Sequence, residues 1–534
     1  MNKIKILDCT LRDGGYYNNW DFSNELVNSY LKVMSAVAVN YVEIGFRSFQ
    51  AKSFRGPTWY TTENYLNNLS IPKNLLIGVM VNASELISHP LGILKATKIM
   101  FIPANKSKVT LVRLACHFEE FKTTTKICKI LKRMGYLVGI NLMQISEQTQ
   151  KKIMEVAKIA DNSSTDVLYF ADSLGGMTPS HISKIIKSFR EHWKGPLGIH
   201  THNNLGRAVA NSLTSLDLGV TWLDSTVTGM GRGPGNAQTE YLLIEMEYIQ
   251  KRKTNILPLL KLIKQYFEPL QKQYKWGTNP YYYLAGKYGI HPTYIQRMLI
   301  GHFDENEILA AINQLKEGEG RRYNVELVRS DFQKPIDLKE GKWSPSKTIK
   351  GRKVLILASG PKANDYKMEL EKYIKLQKPF VIALNTTVNI NKKLIDVFAA
   401  CHPLRLIADA DLYKSLTSPL VVPVSLLSNN LKKKFENIQL LDFGIGVKEN
   451  YFKFHKTGAI VPRLYALAYA LSIATSGNAS QILLAGFDGY GPNDSRTKTI
   501  DELLYLYSSF KNSKSITAIT PTSYNINTTS VYVL

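Results

Sequence analysis

Short runs of β-branched and apolar residues recur through the first part of this chain, at 4–8, 41–45, 76–81, 98–102, 137–142, 167–171, 198–202 and 222–226. Helix-length amphipathic stretches separate most of them, such as 25–38, 121–134 and 180–193. Eight β/α units over about 240 residues suit a closed (β/α)₈ TIM barrel. In that architecture reactive side chains gather at the carboxyl ends of the strands. The polar signatures of this chain fall at those ends: Arg12-Asp13, Glu43, Asp172-Ser173, His200 and His202.

Two histidines two apart on a strand point to the same face. Asp13 at the mouth of one strand, with His200 and His202 at the mouth of another, can meet on one divalent cation. One carboxylate and two imidazoles leave positions open for water and substrate. Such a set suits Mn²⁺ first, with Mg²⁺, Co²⁺ and Zn²⁺ as alternatives.

The 534 residues exceed one ordinary domain. The sequence divides into a barrel over 1–245, a mainly helical extension over 246–335, a charged, proline-containing linker over 336–352 and a second α/β domain over 353–534. In that last part, strands are expected at 353–357, 380–384, 396–399, 420–424, 438–441 and 482–485, with a long helix over 459–474. The fold class is therefore α/β: a TIM barrel, a helical extension and a Rossmann-like domain. The Ala358-Ser359-Gly360-Pro361 turn follows a strand, where backbone N–H groups can hold a phosphate. Asn385, Thr457-Gly458 at an expected helix start, and Gly486-Phe487-Asp488 add further turns of the same kind. Ser359, Gly360, Asn385 and Asp488 are the candidate residues for a nucleotide or nucleotide sugar.

Lys and Arg number 67 against 43 Asp and Glu, a net charge of +24. The basic residues are spread along most of the chain, and clusters such as Lys432-Lys433-Lys434 lack interleaved aromatics. Solvated faces explain them better than nucleic acid does, and the field would attract small anionic substrates. No apolar run reaches the length of a membrane span, and no signal-peptide core precedes the first strand. Four cysteines without CxxC spacing (Cys9, Cys116, Cys128, Cys401) read as reduced thiols, so a cytoplasmic protein is expected.

Four motifs occur in order: Thr10-Leu11-Arg12-Asp13-Gly14, Ala171-Asp172-Ser173 with Pro179 closing the same loop, His200-x-His202-Asn203, and Gly229-x-Gly231-Arg232-Gly233-x-Gly235-Asn236-Ala237. Together they resemble the pyruvate-carboxyltransferase/HMG-CoA-lyase-like superfamily, the DRE-TIM metallolyases. Over about residues 1–300 the chain is most similar to the 4-hydroxy-2-oxovalerate aldolase branch. The resemblance implies a metal-dependent aldolase or lyase that makes or breaks a C–C bond at C3 of pyruvate. Its partners would be a 2-oxo acid and an aldehyde, and the protein would be a homo-oligomer. It also implies that Arg12 stabilises an enolate oxygen, that Asn236 closes on the metal or substrate, and that Glu43 and Asp172 serve the substrate side. The second domain is remotely similar to the nucleotide-binding fold of bacterial sialyltransferases. That pairing points to synthesis of an unusual 2-keto sugar for a surface polysaccharide.

One departure is informative. Aldolases of this branch carry a basic histidine shortly after Arg-Asp-Gly, whereas here the segment reads Gly14-Gly15-Tyr16-Tyr17-Asn18-Asn19-Trp20. Tyr16 or Tyr17 is then the candidate proton shuttle, although a phenol with an ordinary pKa of about 10 needs activation. The loop 229–236 also lacks the cysteine of HMG-CoA lyases. Two other readings compete: a Claisen-type synthase joining an acyl-CoA to a 2-oxo acid, and an inactive barrel that scaffolds a glycosyltransferase-like domain.

Overall fold

A computed structural model describes residues 4–49, 51, 53–251, 253–300, 303, 305–316, 336–386, 390–490 and 495–534. The chain forms two compact units, Met1–Gln296 and Arg297–Leu534. Among the described residues, no helix is long and apolar enough to cross a membrane.

The first unit is a closed barrel of parallel strands: β1 (Lys5–Asp8), β2 (Tyr41–Phe46), β3 (Leu76–Asn82), β4 (Val109–Cys116), β5 (Leu137–Leu142), β6 (Val167–Asp172), β7 (Leu197–Thr201) and β8 (Trp222–Ser225). They pair in sequence order, and β8 closes on β1. The expected strand at 98–102 is a correction: those residues end the helix Gly92–Met100 and the turn after it. Ala96 and Thr97 bury while Leu94 and Ile99 stay exposed, which is helical rather than alternating spacing. The fourth strand is the run Val-Thr-Leu-Val-Arg-Leu-Ala-Cys, disguised by a charge at its centre, Arg113.

The even strands explain what fills the barrel. Residues two apart on each reach the same face, giving Tyr41 and Glu43, Leu111 and Arg113, Val167 and Tyr169, Trp222 and Asp224. Tyr41, Leu111, Val167, Tyr169 and Trp222 pack with Leu7 and Cys9 into an apolar floor. Glu43, Arg113 and Asp224 make a charged layer joined by ion pairs. Space for these large groups comes from glycine on an odd strand: a Cβ at Gly198 would collide with the Tyr169 ring.

After β8 come the helices Thr239–Gln250, Leu257–Leu262, Glu268–Tyr274 and Pro280–Tyr288. This extension packs over the site end of the barrel. Trp276 Nε1 donates to the Thr228 carbonyl at 3.1 Å, and Thr278 Oγ1 to the Asn204 carbonyl at 2.8 Å.

The second unit carries an eight-stranded parallel sheet rather than the six strands expected. Its members are β9 (Lys353–Leu357), β10 (Phe380–Leu384), β11 (Val397–Ala399), β12 (Leu420–Val422), β13 (Leu440–Asp442), β17 (Gln481–Ala485), β18 (Ile516–Ala518) and β19 (Asn527–Thr528). The spatial order is 13-12-11-10-9-17-18-19, so the topology reverses beside β9. A smaller sheet joins β14 (Gly444–Val447), β16 (Gly458–Val461) and β15 (Lys453–His455). The helix expected over 459–474 is corrected to Ala466–Ser476, because Pro462 ends β16 and separates it from the helix. Thr457-Gly458 accordingly opens a strand.

Residues 336–352 lie against this unit. Ile336 and Val447 exchange backbone hydrogen bonds, Trp343 meets the Phe443 ring, and Ile349 is buried in the core. Residues 317–335, the end of the expected helical extension, lie outside the described residues.

Candidate metal centre and active site

The chain leaves β1 and turns at once into the helix Thr10–Asn18, with Cys9 at its N-cap. Trp20 Nε1 donates to the Arg12 carbonyl at 2.8 Å. Gly15 allows this, since any Cβ there would strike the Trp20 indole. Arg12 and Asp13 are thereby held at the barrel mouth, both buried and ion-paired to each other.

A continuous network descends from them. Arg12 Nε donates to Glu43 Oε1 at 2.7 Å. Arg113 grips the same carboxylate from below, Nε to Oε2 at 2.6 Å and Nη2 to Oε1 at 2.8 Å. Its Nη1 donates to Asp224 Oδ2 at 2.7 Å, and that oxygen also meets His200 Nδ1 at 2.9 Å. His200 Nε2 is then left facing Asp13 Oδ2, 3.4 Å away. Glu43 and Arg113 are 0 % exposed. Glu43 therefore holds Arg12 and Arg113 together through both carboxylate oxygens.

His202 enters from the same strand end. Its ring lies 5.0 Å from that of His200, and Nδ1 is 2.7 Å from the Asp172 carbonyl. With Nδ1 donating there, Nε2 remains for a ligand. Burial, with His200 adding to it, lowers the His202 imidazole to about 4, so it is neutral and able to ligate. The Asp172 carboxylate accepts the Gly176 and Met177 N–H groups at 3.2 and 3.1 Å, and burial pushes it up to about 7. Asp172 thus orders its own loop through its carboxylate and orients His202 through its carbonyl.

Asn236 approaches from the glycine-rich loop. Nδ2 donates to Asp13 Oδ2 at 2.8 Å, and the segment bridges His202. Burial works against charge on Asp13, yet Arg12, His200, His202 and this hydrogen bond together hold its carboxyl below the usual range.

The tyrosines separate in role. Tyr17 OH donates to the Gly231 carbonyl at 3.1 Å and accepts the Gly233 N–H at 3.0 Å. Burial raises its pKa, so Tyr17 clamps the loop and is poorly suited to take a proton. Tyr16 is 41 % exposed, and the Arg232 guanidinium lies 4.1 Å from its ring centre.

These residues suit a divalent cation. Asp13, Glu43 and Asp224 set three carboxylates against the guanidiniums of Arg12 and Arg113, leaving a buried negative excess. Asn236 Oδ1 and Arg12 Nη2 are buried without a protein partner, as atoms meant for a ligand would be. Ligand atoms of Cys9, Asp13 and His200 lie within 4.8 Å of one another. The Cys9 thiol donates to the Ser225 carbonyl at 3.4 Å, and burial raises its pKa well above normal, which favours the thiol over a ligating thiolate.

The sequence reading missed Cys9, Arg113, Asp224, Arg232 and His291. An arginine inside an apolar run was the available signal for Arg113. His291 had none, since it comes from the extension. Burial lowers it to about 3, with Arg232 and His202 acting in the same direction.

In the second unit, Ser359-Gly360 follows β9, Asn385 follows β10 with φ of 55°, and Asp488 follows β17. Asp488 Oδ2 accepts the Lys362 N–H at 2.7 Å, and Gly360 N–H donates to the Gly486 carbonyl at 3.0 Å. The structure brings Gly360 and Asp488 together at the topological reversal. A carboxylate there stands where a phosphate would approach the short helix Pro361–Asp365.

A closed (β/α)₈ barrel with a carboxylate and two imidazoles gathered at its carboxyl mouth defines the class of the fold. The HMGL-like family model matches residues 3–264, and the chain belongs to that family. It is 31% identical over 245 residues to a 4-hydroxy-2-oxovalerate aldolase of Carboxydothermus hydrogenoformans, covering 45% of this chain and 70% of that protein. A 4-hydroxy-2-oxovalerate aldolase of Pelotomaculum thermopropionicum is 30% identical over 247 residues, with 46% and 70% covered. Among solved structures, the N-terminal domain of a putative aldolase from Bacteroides vulgatus matches with a TM-score of 0.51 and 32% identity, covering 58% of this chain and all of that one. The chain is thus related to aldolase-type lyases through its barrel.

Proposed function

We propose that the barrel is a divalent-metal-dependent aldolase that makes or cleaves a C–C bond at C3 of pyruvate, acting on a 4-hydroxy-2-oxo acid. The observation that carries this reading is the meeting of Asp13, His200 and His202 beside Arg12, an arginine with one buried, unpartnered amino group. Asp13, His200 and His202 would hold the ion, and Asn236 would close over it. When bound, the ion supplies Lewis acidity toward the carboxylate and ketone oxygens of a 2-oxo acid.

The chain's own residues do the rest. Arg12 presents Nη2 to the oxygen that gains charge as the C3 carbanion delocalises into the ketone. Glu43 and Arg113 keep that guanidinium from turning. Asn236 and the loop around it cover Asp13 from one side. Tyr16 is the phenol left to exchange a proton at C3 or at the aldehyde oxygen, because the Tyr17 hydroxyl is committed to the loop.

Exchange of the pyruvate C3 protons in deuterated water tests this without knowledge of the aldehyde. Exchange should require added Mn²⁺ and should fall by about 10²–10³ in Arg12→Lys, which keeps charge but not the planar fork. Metal-independent exchange, or an Arg12→Lys variant equal to wild type, would sink the reading.

For the second unit, a nucleotide or nucleotide-sugar ligand stays a proposal. It is supported by Ser359, Gly360 and Asn385 standing at the carboxyl ends of β9 and β10 and opposed by the Asp488 carboxylate. Service in surface-sugar synthesis rests on that pairing. Calorimetry of the full chain with CMP, UMP and their sugars tests it; heats equal to buffer would end it.

A further inference from the structure

Arg232 stands between the glycines of the loop that carries Asn236, and the loop holds it in place. The Tyr17 hydroxyl ties the peptide groups on either side, at Gly231 and Gly233. The side chain lies over Tyr16, its guanidinium 4.1 Å from the ring centre. The same loop brings Asn236 Nδ2 to Asp13 Oδ2 at 2.8 Å, which sets Arg232 at the rim beside that carboxylate.

Tyr16 continues the arrangement. Its ring meets that of Trp20 at 4.8 Å, edge to face, and on Trp20 lies a second guanidinium, Arg55, 5.7 Å from the ring centre. Arg55 also reaches Trp59 at 5.6 Å. Its hydrogen bonds are to the Asn19 side chain and the Phe54 carbonyl, and its Nε is buried without a partner. Among the described residues, neither Arg55 nor Arg232 forms an ion pair with a carboxylate. The deeper arginines of the barrel, Arg12, Arg47 and Arg113, all do.

A guanidinium laid on an aromatic face is weakly hydrated and already ordered, with its N–H edge free. That edge fits phosphate or carboxylate in bidentate fashion. Pyruvate already has the metal residues and Arg12 for its own carboxylate and ketone. We propose that the acceptor aldehyde carries an anionic group, and that Arg232, assisted by Arg55, grips it at the rim. The proposal rests on the aldolase reading of the same site and names its substrate class. In the forward direction, the C3 carbanion of pyruvate forms a bond to the aldehyde carbonyl carbon. The carbonyl electron pair moves to oxygen, which takes up a proton. The product is a 4-hydroxy-2-oxo acid with a second negative charge at its far end.

Two measurements test this. In aldol addition with pyruvate, glyceraldehyde 3-phosphate and succinic semialdehyde are compared with glyceraldehyde and butanal. One charged aldehyde should exceed its neutral counterpart in kcat/KM by about tenfold or more, and Arg232→Gln should cut that ratio by about tenfold. Equal use of charged and neutral aldehydes overturns the proposal. So does an Arg232→Gln variant that raises the KM of pyruvate alike with every aldehyde, since the arginine then serves pyruvate. Independently of turnover, calorimetry with glycerol 3-phosphate and succinate should detect binding of one of them to wild type, weakened about tenfold or more in Arg232→Gln. Binding of neither, or unchanged binding in the variant, overturns it. Pyruvate proton exchange in wild type reads the aldolase reaction separately: its absence with anion binding intact would remove the aldolase reading and leave the anion site.

Discussion

His200 and Asp224 meet at 2.9 Å through Nδ1 and Oδ2, and the same carboxylate oxygen receives Arg113 at 2.7 Å. One oxygen therefore orients the imidazole and anchors it to the charged layer of the barrel. Asp224→Asn should keep the fold yet weaken Mn²⁺ binding about 10–100-fold, because the ring loses the partner that fixes its tautomer. Metal titration of the purified variant checks this, and wild-type affinity would show that Asp224 has no part in the site.

Arg113 pairs with both Glu43 and Asp224 in the barrel interior, where all three are buried. Arg113→Met should destabilise the barrel by about 3–5 kcal/mol, since it leaves buried carboxylates unpaired. Glu43→Gln combined with Arg113→Met should recover part of that loss. Urea denaturation of both variants gives the comparison.

Cys9 and His202 both stand beside the Asp13–His200 pair. His202→Ala should lose most bound metal, whereas Cys9→Ser should retain it, because the thiol stays protonated in its buried setting. Elemental analysis after dialysis decides. Metal lost only in Cys9→Ser would move the site toward the thiol.

Glu240 accepts the Thr228 N–H at 3.0 Å, and burial raises its carboxyl from 4.5 to about 7. The folded state then holds a proton that the unfolded chain releases near its ordinary value. Its contribution is full below about pH 4.5 and is lost as pH rises through about 7. At pH 8.5 the ionised, buried group should cost on the order of 3 kcal/mol. Glu240→Gln should remove this dependence, so its urea midpoint should exceed that of wild type at pH 8.5 and approach it at pH 5.

Asp13, His200 and His202 were legible because strand periodicity and barrel order put them at one rim. The charged layer beneath was not, because its pairs come from strands far apart in sequence: Glu43 with Arg113, and Arg113 with Asp224. Arg113 also broke the apolar run that would have revealed β4, so the fourth strand was sought in the helix Gly92–Met100. The helix boundary in the second unit failed for a local reason, Pro462, which was readable but outweighed by the alanine-rich run after it. Tyr17 looked like a proton carrier by position alone. Only the folded loop reveals that its hydroxyl is already engaged.

The relay from Arg12 through Glu43 and Arg113 to Asp224 and His200 is built on strands and the helix directly after β1, whereas Arg55 and Arg232 stand on loops outside them. On the proposed reading, bond-making and the choice of electrophile are written in separate parts of the chain. On the same reading, a substitution at position 55 or 232 would change the charge of the aldehyde accepted while leaving the strand-borne groups in place. For redesign, the rim is the variable text and the barrel interior the fixed one.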